Sequence, residues 1–250
     1  MIYGISDIHG DIEGMIKQCS GLTRDDYVIV TGDVGFFQET QKILLGCEFA
    51  FTLLFLDGNH EDFGLLNSYE VTEYCGGKVH KIAENIYHLL RGQVFQLKTK
   101  DKIVKIAVLG GGESRDKAFR EENVDWFSAE GITEEDLIEL NKNLKKHNYQ
   151  VDYFFSHIPS AILKVFLYNT TYHLFLEKNK GNFSNYQLER LSRLKYSDSE
   201  YRVYMAIEGV GRPPLTAKTY YCGHDHLFRG EYKIKKRRYI ILSQSLQRLQ

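Results

Sequence analysis

Seven side chains that can bind a hard or borderline cation recur at short spacings along the chain: Asp7-x-His9, Asp33 after Gly32, Asn59 after Gly58, His157, and His224-x-His226 after Gly223. Carboxylate and amide oxygens mixed with imidazoles, and no thiolate, suit Mn, Fe, Zn or Ni better than a structural cysteine-bound zinc. Seven donors are too many for one tetrahedral ion. They match two ions that share a carboxylate, a pair separated by roughly 3.5–4 Å. On a loop or strand end a D-x-H pair can grip one ion, whereas H-x-H can straddle two. The glycines before Asp33, Asn59 and His224 leave room for tight turns. His80, His88, His147 and His173 stand outside these groups and take no role.

The elements that must position these donors are legible as strands ending in polar loops. Met1 to Ile5, Tyr27 to Val30 and Phe51 to Leu56 are apolar runs that stop at Ser6–Asp11, Thr31-Gly32-Asp33 and Asp57-Gly58-Asn59-His60. Ile12, Met15, Ile16 and Cys19 recur at helical spacing after the first. Such alternation predicts stacked β-α units, whose ligand crevice lies at the carboxyl ends of the strands. Ile86 to Leu89, Val94 to Leu97 and Ile103 to Leu109 read as closely connected strands of an antiparallel part. Thr133 should cap a helix reaching Lys146 with Asp136 three residues on, Tyr153 to Ser156 should deliver His157, and Pro159 should open a further helix. Lys218 to Cys222, Leu227 to Arg229 and Tyr239 to Leu242 close the chain as strands around a basic turn at Lys233 to Arg238. The irregular stretch of about 165–210, rich in Tyr, Asn and Lys with one helix expected near Asn185 to Tyr196, reads as an insertion within a single domain spanning 1–250.

D-x-H, G-D, G-N-H-E, H and G-H-x-H, in that order from Asp7 to His226, resemble the calcineurin-like metallophosphoesterase superfamily. The opening IYGISDIHGD is also similar to the bacterial branch of serine/threonine phosphatases and to symmetrical dinucleotide-tetraphosphate hydrolases. The resemblance implies an α/β fold of two packed mixed β-sheets flanked by helices, a four-layer sandwich. It further implies that Asp7, His9, Asp33 and His226 hold one divalent ion, that Asp33, Asn59, His157 and His224 hold the other, and that Asp33 bridges them. His60 would be the general acid for the leaving oxygen, a role typically worth about 10²–10⁴-fold. Two ions, with manganese favoured, would activate water and clamp the phosphoryl oxygens.

One departure bears on specificity. The protein-phosphatase branch carries G-D-x-x-D-R-G, whereas this chain has Gly32-Asp33-Val34-Gly35-Phe36-Phe37, so the Asp that orients the catalytic His and the Arg that contacts phosphate are both replaced by Phe. Replacement donors are sought after Gly110-Gly111-Gly112, where Ser114, Arg115, Lys117 and Arg120 follow. The glycine run lacks a Walker Lys-Ser/Thr and reads equally as an ordinary turn. Phosphomonoesters are the favoured substrates. The alternative is a nucleotide or nucleic-acid phosphodiesterase or dinucleoside-polyphosphate hydrolase, and a non-catalytic scaffold is disfavoured because every ligand position and His60 are present.

Composition narrows the setting. The 250 residues are 43% hydrophobic and 26% charged, with 32 Lys+Arg against 33 Asp+Glu, so no global charge bias directs the chain to nucleic acid or an anionic membrane. The four cysteines form no C-x-x-C pair, which fits a reducing cytoplasm, and MIYGISDIHGD lacks the basic-then-apolar order of a signal peptide. No apolar run approaches the roughly 20 residues that cross a bilayer. The expected partner is a phosphorylated small molecule, nucleotide or phosphoprotein. Nucleic acid is disfavoured, and the aromatic insertion leaves room for a lid or a homo-oligomer contact.

Overall fold

The computed structural model describes residues 1–114, 116–169, 196–209 and 211–249. The helix expected near Asn185 to Tyr196 therefore falls almost wholly outside the described residues, as does Arg115.

Two mixed sheets carry the fold. In the first, β1 (Ile2–Ile5), β2 (Tyr27–Thr31), β3 (Thr52–Leu56) and β6 (Ile86–Leu89) run parallel, with β5 (Gly77–Ala83), β4 (Val71–Tyr74) and β13 (Gln247–Arg248) added antiparallel at the edges. In the second, β8 (Ile103–Leu109), β9 (Tyr153–Ser156), β10 (Thr219–Cys222) and β12 (Arg237–Ile241) run parallel between the antiparallel edges β7 (Val94–Lys98) and β11 (Gly230–Ile234). Because the central strands are parallel within each sheet, their polar carboxyl-terminal loops gather at one end.

Alternation along each central strand explains the layering. Ile29, Leu54 and Leu56 of the first sheet share a core with Ile106, Val108, Phe155 and Tyr221 of the second, so the sheets pack face to face. The opposite faces, Val28, Val30, Leu53 and Phe55 on one side and Ala107, Leu109, Phe154 and Tyr220 on the other, are covered by helices. Helix α1 (Ile12–Gln18), α2 (Gln38–Gly46) and α3 (Phe63–Leu66) cover the first, and α4 (Glu134–Lys145), α5 (Ala161–Leu167) and α6 (Asp198–Glu208) the second. Strands buried on both faces must be apolar at every position, which is why these runs are continuous rather than alternating.

Several local expectations need adjustment. Ile86–Leu89 and Val94–Lys98 are consecutive but belong to different sheets, so the antiparallel pairing joins β5 to β6 and β7 to β8 instead. Leu227 to Arg229 is not a strand; His226–Phe228 forms a 3-10 turn. The basic stretch Lys233 to Arg238 is mostly strand, with only Lys235 and Lys236 turning between β11 and β12. Pro159 precedes the helix it was expected to open, because Ser160 caps α5. At Thr133 the expected capping box with Asp136 is formed. No helix among the described residues is long and apolar enough to cross a membrane, and all four cysteines are free.

Candidate active site

Asp7 and His9 follow β1, Asp33 follows β2, Asn59 and His60 follow β3, His157 follows β9, and His224 and His226 follow β10. Both sheets thus contribute, and the donors meet where their carboxyl ends converge. Asp7, His9 and His226 can place one ligand atom each within 4.8 Å of one another; so can Asp33, His157 and His224, and so can His9, Asp33 and His60. Asp33 Oδ1 lies 3.3 Å from His157 Nε2, and its Oδ2 lies 3.8 Å from His9 Nε2. The Asp33 carboxylate therefore stands between the two groups with one oxygen toward each.

The backbone at these positions is unusual. Asp7, His9, Asp33 and His224 all have positive φ, between 46° and 65°, in the left-handed region that non-glycine residues seldom occupy. Such conformers cost on the order of 1–3 kcal/mol each and persist where surroundings over-determine them. Here they are fixed by a web of bonds: His9 N–H to Asp33 O at 2.9 Å, Gly10 N–H to Val34 O at 2.7 Å, and His224 N–H to the Asp7 carboxylate at 3.1 Å. Asp33 Oδ1 also accepts the Asn59 and His60 amides at 2.9 and 3.0 Å. Two of the flanking glycines serve close approach rather than a left-handed turn. A Cβ on Gly58 would collide with Asp33, and one on Gly223 with Ser6 and Asp7.

His157 shows the chemistry most directly. It is fully buried, and its Nδ1 lies 2.8 Å from Thr31 O, an acceptor only, so that nitrogen carries the proton. In the neutral ring the Nε2 lone pair then faces Asn59 Oδ1 at 3.1 Å and Asp33 Oδ1 at 3.3 Å. Three electron-rich atoms converge, and a cation among them satisfies all three. A ring N–H spent on a carbonyl behind the ligand nitrogen is the usual support of a metal-binding histidine. The donor set fits a divalent cation on these grounds.

Electrostatics agree. Burial alone would raise the Asp7 carboxyl, but the hydrogen bonds from His226 and Ser6 outweigh it and hold the group well below the usual range. Asp33 is likewise lowered, with burial opposed by His157 and His60. His226 is raised by its hydrogen bond to Asp7 at 3.1 Å. Burial lowers His60, helped by His9 and Arg120. Glu61 has no solvent exposure and is raised well above an ordinary carboxyl by burial and by Asp33.

Glu61 has a positioning duty that its place in G-N-H-E signals only after the fact. Its carboxyl accepts the amides of Val34, Phe36 and Gly58 at 2.9, 2.6 and 3.3 Å, which locks the Asp33 loop to the Asn59 loop. Gln244, unmarked by any motif, donates to Asp7 O at 2.7 Å.

The sought phosphate donors divide. Arg120 reaches the site: its Nη1 lies 3.3 Å from His60 Nδ1, and Asp116 holds its Nη2 at 2.9 Å. Lys117 instead sits over the Trp126 ring at 5.8 Å. Ser114 is buried and bonded inside the protein, so it is no open phosphate donor. Gly111 and Gly112 spend their amides on Asp57 O and Glu130 O, which makes the glycine run a turn rather than a cradle. Phe36, where the phosphatase branch has Asp, is fully buried and stacks on Phe55 at 5.6 Å, so that position belongs to the core.

The calcineurin-like phosphoesterase family model matches residues 1–228. The chain belongs to that family. For a calcineurin-like phosphoesterase the two mixed sheets flanked by helices are the expected sandwich, and membership implies a divalent-metal-dependent hydrolase acting on a phosphorylated substrate. A comparison with curated proteins finds no match.

Proposed function

We propose that this chain hydrolyses phosphate esters, phosphomonoesters in preference to diesters, with two divalent cations, manganese favoured. One would be held by Asp7, His9, Asp33 and His226, the other by Asp33, Asn59, His157 and His224. The observation that carries the reading is the Asp33 carboxylate, whose two oxygens face His157 and His9 from opposite sides of one buried residue. When bound, such a pair lowers the pKa of water from 15.7 toward about 7 and neutralises phosphoryl charge.

The remaining work falls to the chain's own side chains. His60 lies beside the donors, its ring 5.1 Å from that of His9, and it delivers a proton to the departing oxygen. Arg120 can only donate, so its contact with Nδ1 belongs to the neutral ring left after proton delivery, and the imidazolium that delivers the proton does so without that contact. The same guanidinium, held by Asp116, offers N–H groups to a phosphoryl oxygen and takes the part of the missing phosphatase arginine. His9 and His226 are exposed while Asp7, Asp33, Asn59 and His157 are buried, so substrate enters from the His9/His226 side.

A nucleic-acid substrate gains little from the basic hairpin. Arg238 pairs with Glu231 at 2.7 Å and Arg237 pairs with Glu208, which neutralises two of its charges. The test is turnover of p-nitrophenyl phosphate against bis-p-nitrophenyl phosphate and dinucleoside polyphosphates after metal depletion and reloading with Mn²⁺, Fe²⁺, Zn²⁺ or Ni²⁺. Faster diester hydrolysis would reverse the substrate preference. No hydrolysis of any ester with any ion would refute the reading.

A further inference from the structure

The residues around Asn59 form a hydrogen-bond chain with a single allowed direction. Glu130, 2% exposed, accepts from Ser114 N–H at 2.7 Å and Trp126 Nε1–H at 2.8 Å on Oε1, and from the Ser114 hydroxyl at 2.7 Å on Oε2. The Ser114 proton is thereby committed to Glu130, and its oxygen can only accept from the third partner. That partner is Asn59, whose Nδ2 donates to Ser114 Oγ at 3.1 Å. With Nδ2 turned to Ser114, Oδ1 must face the other way, where it lies 3.1 Å from His157 Nε2. A side-chain amide has no intrinsic preference between its two ends, so something outside it has to choose.

We propose that Ser114, anchored by Glu130, is a positioning residue that fixes the Asn59 amide with its oxygen toward His157 and so builds the second cation position. This rests on the two-cation reading above and deepens it. Both residues are buried, come from the loop after β8 and the 3-10 turn Ser128–Glu130, and touch neither His9 nor His226. Their influence should therefore be confined to the position shared by Asn59, His157 and His224. The stitching is further secured by Gly112 N–H on Glu130 O at 2.9 Å, which keeps the two loops in register.

The test compares Ser114→Ala, Ser114→Thr and Glu130→Gln by Mn²⁺ binding isotherms and by the electron paramagnetic resonance signal that separates a coupled ion pair from isolated ions. In Glu130→Gln the remaining oxygen is needed by two N–H donors, so Nε2 would face Ser114 Oγ and strand the hydroxyl proton. Loss of an outer hydrogen-bond partner weakens metal affinity about 10- to 100-fold. That weakening is expected for the second ion alone in Ser114→Ala and Glu130→Gln, with the first ion unchanged and the second restored in Ser114→Thr. Wild-type affinity for both ions in Ser114→Ala would overturn the proposal. Equal weakening of both ions with a lowered melting temperature would overturn it as well, since that is the mark of general damage. A wild-type chain that binds only one ion would instead sink the two-cation reading on which the proposal stands.

Discussion

Lys164 Nζ on α5 lies 2.5 Å from a carboxylate oxygen of Asp225, the residue between His224 and His226. Glu200, in the first turn of α6, stands 3.5 Å from the same ammonium, and the Lys164 and Glu200 side chains are almost completely buried. The helices on either side of residues 170–195 are thus tied through one cation to the loop carrying two candidate ligands. Removing one member of a buried ion pair leaves its partner's charge uncompensated, typically at about 3–5 kcal/mol. Lys164→Met should lower unfolding free energy by that order in urea titrations, and a loss below about 1 kcal/mol would contradict the assignment.

His60 is expected to matter for proton delivery and not for ion binding. His60→Ala should reduce turnover by about 10²–10⁴-fold while the number of bound Mn²⁺ stays at the wild-type value. The deficit should be larger for an alkyl phosphate than for p-nitrophenyl phosphate, because the better leaving group needs less protonation. An equal deficit for both esters would remove the proton-donor role.

Arg120 and Asp116 give a prediction about substrate binding. A hydrogen bond to a charged group is worth about 1.5–3 kcal/mol, so Arg120→Ala should lower kcat/KM by roughly 10- to 100-fold. Arg120→Lys should recover little of this, since an ammonium lacks the planar fork that contacts His60 and phosphate together. Full recovery by lysine would show that only charge is used there.

A pH effect on stability should arise away from the site. His80 Nδ1 lies 3.1 Å from His88 Nδ1, and burial, with the charge of His88, lowers His80 from 6.5 to about 4. Because the folded value is depressed, the unfolded chain binds the proton more readily. The stabilising contribution is complete above about pH 6.5 and is lost as pH falls toward 4. His80→Gln should therefore flatten the decline in melting temperature across that window relative to wild type; parallel curves would contradict it.

Asp33→Ala bears on the shared ligand. It should abolish binding of both ions in equilibrium dialysis, whereas loss of one ion only would show that Asp33 does not bridge.

The sequence alone determined the central strands and the types of donor at their ends. Runs such as Val28–Val30 and Tyr153–Phe155 are continuous because both faces are buried, and each stops where a polar side chain begins. That local signal was enough to name Asp7, His9, Asp33, Asn59, His157, His224 and His226 as candidate donors. Which strands share a sheet was not legible, because Ile86–Leu89 and Val94–Lys98 have the same local pattern and part company only when their partners are chosen. Nor were the orientations legible. The faces of the Asp33 carboxylate, the amide of Asn59 set by Ser114 and Glu130, and the reach of Arg120 to His60 join residues up to 124 positions apart in the chain. Hydrogen-bond direction depends on what stands opposite a group in space, and only the tertiary structure supplies that neighbour.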